Sequence, residues 1–171
     1  MSTEHVAESF LAYSAARLGQ LQGMIAACCD RLTEEQMWHR GAEHENSVAN
    51  LLLHLSGNMR QWIMHGIDGE SDVRERDAEF AISALHTGAQ ARGFFDATIT
   101  RAASIIAAVP HARLVEVIDP QPTGPWRYPT ILEAIYKVVG HVDHHAGQII
   151  VLTKQMAAVD LDLAAPQALM L

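Results

Sequence analysis

The chain has 171 residues, 49% hydrophobic and 19% charged, with a formal net charge of −8. That balance of apolar and charged residues excludes intrinsic disorder as the default, and the acidic excess, with no Lys/Arg run longer than two, excludes nucleic acid or an anionic membrane as the main partner. No apolar stretch approaches the roughly 20 residues that span a bilayer, and the start, polar with Glu4, lacks the pattern of a signal peptide. The expectation is a soluble, cytoplasmic chain forming one domain over 1–171.

The first predicted helix runs from Glu4 to Arg31, with Phe10, Leu18, Leu21, Ile25 and Cys28 recurring at helical spacing. Cys28 and Cys29 are neighbours, which point about 100° apart on a helix and are badly placed to bond to each other. They read as two small buried hydrophobes in a reducing compartment. Thr33 opens a short turn or extra helix. The second helix begins with Asn46 or Ser47 as N-cap and runs to His65, closed by Gly66 and Gly69. A polar, charged connection follows from Asp68 to Glu79. The third helix spans Ser83 to Val109 and stops at Pro110, which cannot continue it. In the proline-rich segment to Pro129, Leu114–Ile118 alternates as a short strand would, and Thr123 to Trp126 reads as a turn. Thr130 and Glu133 form a capping box that starts a fourth helix, running to Met156. The greasy end, Ala168 to Leu171, is suited to dock on the bundle or on a second subunit, which makes a homodimer plausible. Four amphipathic helices of about 20 residues or more predict an all-α four-helix bundle.

Histidine is the compositional oddity, ten against twelve Lys plus Arg. On a wheel of the second helix, Ser47, Asn50, Asn58 and Gln61 fall within about 40° of His54. Beside them Val48, Leu51, Leu52, Leu55, Met59, Trp62 and Ile63 form an apolar arc. A solvated face normally carries Lys, Glu or Arg; this seam carries amides, a hydroxyl and an imidazole, which suit a partly buried cleft. The fourth helix repeats the layout. With His141 at zero, His145 lies at about +40° and Gln148 at about −20°. Ile131, Ile135, Val138, Val142, Ala146 and Ile149 lie alongside. If the two stripes pack together, the seams line one cavity.

His141 and His145 stand at i and i+4, so both imidazoles can reach one ion. With His54 they supply three neutral nitrogen ligands and leave coordination positions open, as catalytic sites do. Three imidazoles suit zinc, nickel, iron or copper. Val142 follows His141, so the metalloprotease pattern H-E-x-x-H is absent. Asp143 lies about 160° from His141, outside the ligand set, while His144, near −60°, is a reserve ligand, a cavity residue or a surface histidine. The predicted substrate cleft comprises Asn50, Asn58, Gln61, His144 and Gln148. Lys137 reads as a surface lysine, with a cavity cation as the alternative. Glu45 favours the helix N-terminus or serves as an acid or base near the metal.

Two stretches carry a family resemblance. Asn46 through Leu55, continuing to Gly57, Asn58, Gln61 and Trp62, resembles the second helix of DinB-like proteins, and His141 through Ile149 resembles their fourth-helix signature, H-x-x-x-H-x-x-Q. By helix order the resemblance covers about Phe10 to Met156. It implies a four-helix bundle of the DinB-like type, often dimeric, that binds a divalent metal through His54, His141 and His145. It further implies a metal-dependent enzyme acting on a small molecule, of the class of transferases and isomerases that use low-molecular-weight thiols such as bacillithiol and mycothiol. A metal-dependent hydrolase and a non-catalytic metal- or ligand-binding stress protein are the rival expectations.

Overall fold

The computed structural model describes residues 2–81, 86–119, 128–158 and 161. In chain order it holds α1 (Thr3–Cys29), α2 (Glu34–Trp38), α3 (Val48–Met59), α4 (Arg76–Glu79), α5 (Gly88–Ala107) and α6 (Ile131–Ala157). A π-helical turn over Arg60–His65 extends α3, and a 3-10 turn over His111–Val115 follows α5. The four long helices pack together, and no strand occurs among the described residues. Among the described residues, no helix is long and apolar enough to cross a membrane.

Local chemistry sets the helix starts. The four N-terminal amides of a helix lack partners inside it. Ser2 caps α1 by accepting from the His5 amide. Reciprocal capping boxes open α2 (Thr33 with Gln36), α3 (Ser47 with Asn50), α5 (Thr87 with Gln90) and α6 (Thr130 with Glu133). The α5 box corrects the expected start at Ser83: α5 begins at Gly88, and residues 82–85 lie outside the described set. The turn expected at 123–126 and the apolar tail at 168–171 also lie outside it.

The expected strand at 114–118 is instead a 3-10 turn followed by one isolated antiparallel bridge, Val117 to Thr130. Ile118 donates to the Pro129 carbonyl at 2.8 Å and Ile131 donates to Glu116 at 2.9 Å. Pro129 has no N–H to return, so the ladder cannot grow past this pair.

Helices α1 and α3 each pack against both α5 and α6. The shared core holds Leu18, Leu21 and Ile25 of α1, Leu51, Leu52 and Leu55 of α3, Phe95 and Ile99 of α5, and Ile135, Val138, Val142 and Ile149 of α6. Apolar burial of this kind contributes roughly 25 cal/mol per Å² and is what drives the four faces together. The buried positions of α6 include the whole apolar arc read from its sequence. At the end of α3 the wider π turn, with the Gly66 amide bonded to the Gln61 carbonyl at 3.1 Å, buries four consecutive residues, Gln61 to Met64. Gly69, at φ 78°, closes this segment in the left-handed region that favours glycine.

Candidate metal centre

Packing α3 against α6 brings His54 to His141 and His145. One ligand atom from each lies within 4.8 Å of the other two. The His54 and His141 Nε2 atoms are 2.9 Å apart. Ring centroids are 5.0 Å apart for His54 and His141, 5.2 Å for His54 and His145, and 4.5 Å for His141 and His145. His54 is buried, and the two α6 histidines are half-buried.

Burial pushes His141 down to about 3, reinforced by His145, His54 and Arg74. Burial also lowers His145, against an opposing hydrogen bond from Gln148. At neutral pH these two imidazoles are therefore uncharged and offer lone pairs.

Two hydrogen bonds set the tautomers. Gln148 Oε1 lies 2.6 Å from His145 Nδ1. An amide oxygen only accepts, so Nδ1 carries the proton and Nε2 is bare. Glu79 Oε2 lies 2.9 Å from His54 Nδ1, and a carboxylate oxygen only accepts, so Nδ1 is the donor here too. The Arg74 guanidinium is also 3.3 Å from Nδ1, but its nearer partner is Glu79 Oε2 at 2.9 Å.

The arrangement fits a divalent ion. Nitrogen ligands sit about 2.0–2.1 Å from such an ion, so two on the same ion are about 2.9 Å apart at a right angle and about 3.3 Å apart in a tetrahedron. His54 Nε2 faces another imidazole nitrogen at 2.9 Å, a contact that needs a proton or a cation between the two. All three donors are imidazoles, a set that suits zinc, nickel, iron or copper.

Glu79 and Arg74 come from the connection that reads as a loop. Their side chains are 7% and 5% exposed. Arg74 Nε donates to Glu79 Oε1 at 2.7 Å, and Arg74 NH1 donates to Gln61 Oε1 at 2.9 Å. Burial alone would raise the Glu79 carboxyl, but the bonds from Arg74 and His54 outweigh it and hold it below the usual carboxylate range. The sequence does carry one signal for this neighbour. Gly57 lies inside a helix, where glycine costs about 1 kcal/mol relative to alanine, and an ideal Cβ there would collide with Glu79 Oε1.

The other expected site residues fall in two places. Asn50 is buried beneath the 79–81 backbone: its Nδ2 donates to the Glu79 and Ala81 carbonyls at 3.0 and 3.2 Å, and its Oδ1 accepts from Arg40 NH2 at 2.6 Å and Ser47 Oγ at 2.7 Å. Gln61 is buried between Asp72 and Arg74. Asn58 is buried with its Oδ1 unpaired by protein. His144 and Gln148 are exposed and line a cavity of about 560 Å³ with His44, Glu45, Asn46, Leu51 and Val151. The His144 ring lies 5.1 Å from that of His145. Lys137 places its Nζ 3.8 Å above the Trp62 ring.

A search of curated protein sequences finds no match. Residues 5–166 match the family described as "Protein of unknown function (DUF1572)", and the chain belongs to that family.

Proposed function

We propose that His54, His141 and His145 hold one divalent metal ion, and that the protein is a metal-dependent enzyme directing a low-molecular-weight thiol, or water, at a small electrophile. The observation that carries this reading is the three-imidazole cluster itself, with all its ligand atoms within 4.8 Å. The resemblance of the α3 and α6 stretches to DinB-like proteins supports it, since thiol-dependent transferases occur there.

The ion would supply Lewis acidity, its charge undiminished by neutral ligands and so able to lower the pKa of a bound thiol or water. The chain's own residues do the rest. Gln148 and Glu79 orient two of the imidazoles, and the cavity lined by His144 and Gln148 adds apolar surface from Leu51 and Val151. In thiol transfer the S–H proton passes to solvent, the sulfur forms the new bond to the electrophilic carbon, and the displaced group leaves with its electron pair. The attacking sulfur comes from the cosubstrate, because Cys28 and Cys29 are buried in α1.

A hydrolase would want a general base beside the ion. Glu79, the buried carboxylate nearest the triad, bonds Nδ1, the side of the His54 ring away from Nε2. That placement favours the thiol reading. The test is turnover of 1-chloro-2,4-dinitrobenzene with bacillithiol, mycothiol or cysteine, using metal-loaded and chelator-stripped protein. Thiol conjugation only in the loaded protein is expected. Bound metal with no turnover of this substrate or of ester substrates would favour a non-catalytic binding protein.

A further inference from the structure

The buried Arg74–Glu79 pair ends on His54 Nδ1, and nothing in the metal reading requires an ion pair there. Burying two charges is costly and seldom stabilises a fold as well as apolar residues would. A glycine in the middle of a helix lowers helix stability as well. Yet α3 carries Gly57, one turn after His54, and the space it leaves is filled by the Glu79 carboxylate. The backbone that delivers Glu79 is clamped: Asn50 Nδ2 donates to the Glu79 carbonyl at 3.0 Å, and Arg40 NH2 donates to the Phe80 carbonyl at 2.9 Å. Arg74 is fixed in turn through Gln61, which donates to Asp72 Oδ2 at 3.1 Å. The Phe80 ring closes over His54 with centroids 4.9 Å apart.

We propose that Glu79 is a positioning residue that, held by Arg74 and admitted by Gly57, locks His54 in the tautomer that turns a bare Nε2 toward the ion. The proposal rests on the metal reading above. Carboxylate oxygens only accept, so Nδ1 must donate to Oε2 at 2.9 Å, and in the neutral ring that a metal ligand requires the opposite nitrogen is then the one without a proton. Glu79 lies on the Nδ1 side and acts through His54. Carboxylates behind metal-bound histidines orient the ring and raise its basicity.

Glu79→Gln makes the claim sharp. Arg74 has donors only, so the amide oxygen of the glutamine is drawn to Arg74 and its NH₂ turns to Nδ1. His54 then moves its proton to Nε2, the nitrogen the ion needs. The experiment compares wild type, Glu79→Gln and Gly57→Ala, each stripped of metal. Long-range 1H–15N NMR reads the His54 tautomer, and competition with a chromophoric chelator reads Zn²⁺ affinity. Wild type should show the Nδ1–H form. Glu79→Gln should shift to the Nε2–H form and bind Zn²⁺ roughly 10–100-fold more weakly. Gly57→Ala, whose Cβ displaces the carboxylate, should lose affinity similarly and serves alone if Glu79→Gln does not fold. Wild-type tautomer and wild-type Zn²⁺ affinity in a folded variant would overturn the proposal. If wild type takes up no Zn²⁺, the metal reading fails, while the tautomer comparison still decides the role of Glu79.

Discussion

The two cysteines show how burial dominates reactivity. Cys28 and Cys29 are both buried on α1, where a thiolate would lose its hydration. Burial pushes Cys29 up to about 12 and raises Cys28, so both remain thiols at neutral pH. Because the thiolate is the reactive form, a disulfide reagent such as Ellman's at pH 8 should leave both untouched in native protein and modify both in guanidinium. Rapid modification of the native protein would contradict this placement. The sign of the pH effect follows. The folded state holds the Cys29 proton to about 12, whereas an unfolded thiol releases it near 8.5. Its contribution to stability is complete below about 8.5 and is lost as pH rises from there toward the folded value. The melting temperature should therefore fall between pH 8 and 10, and less steeply in Cys29→Ala.

At the scale of elements, α3 and α6 were legible because their periodicity is local. His54, His141 and His145 follow from spacing within single helices, and so do the stripes that pack them together. Glu79 was not legible. It is 25 residues from His54 and reaches it through a connection whose alternating charges look like a solvated loop. The start of α5 lies at Thr87 and not Ser83 because Gln90 stands three residues after Thr87 and closes a capping box, whereas His86 stands three residues after Ser83. Asn50 changes meaning in the same way. The wheel places it on the His54 seam, but its amide holds the 79–81 backbone. Asn50→Ala would strip the Glu79 carbonyl of its side-chain donor and take one acceptor each from Arg40 and Ser47, which should cost about 1–3 kcal/mol. Denaturant unfolding should show that loss together with weaker metal uptake. Unchanged stability would contradict the clamp.

For the whole molecule, α3 and α6 supply one shared set of ligands, so an ion there would tie the second long helix to the last. The bundle core supports the site without it, since the apolar faces of all four helices meet in one cluster. Metal should therefore act on a folded chain, adding stability by mass action, about 2.7 kcal/mol at a free ion concentration 100 times the dissociation constant. Thermal melts with and without chelator should differ accordingly, and the difference should vanish in a variant lacking a ligand. The most direct measurement is metal content by elemental analysis, on protein purified without an affinity metal column, for wild type and for His54→Ala, His141→Ala and His145→Ala. The account predicts close to one ion per chain in wild type and its loss in each variant. No metal in wild type, even after incubation with Zn²⁺, Ni²⁺ or Fe²⁺, or metal retained when a histidine is removed, would contradict it.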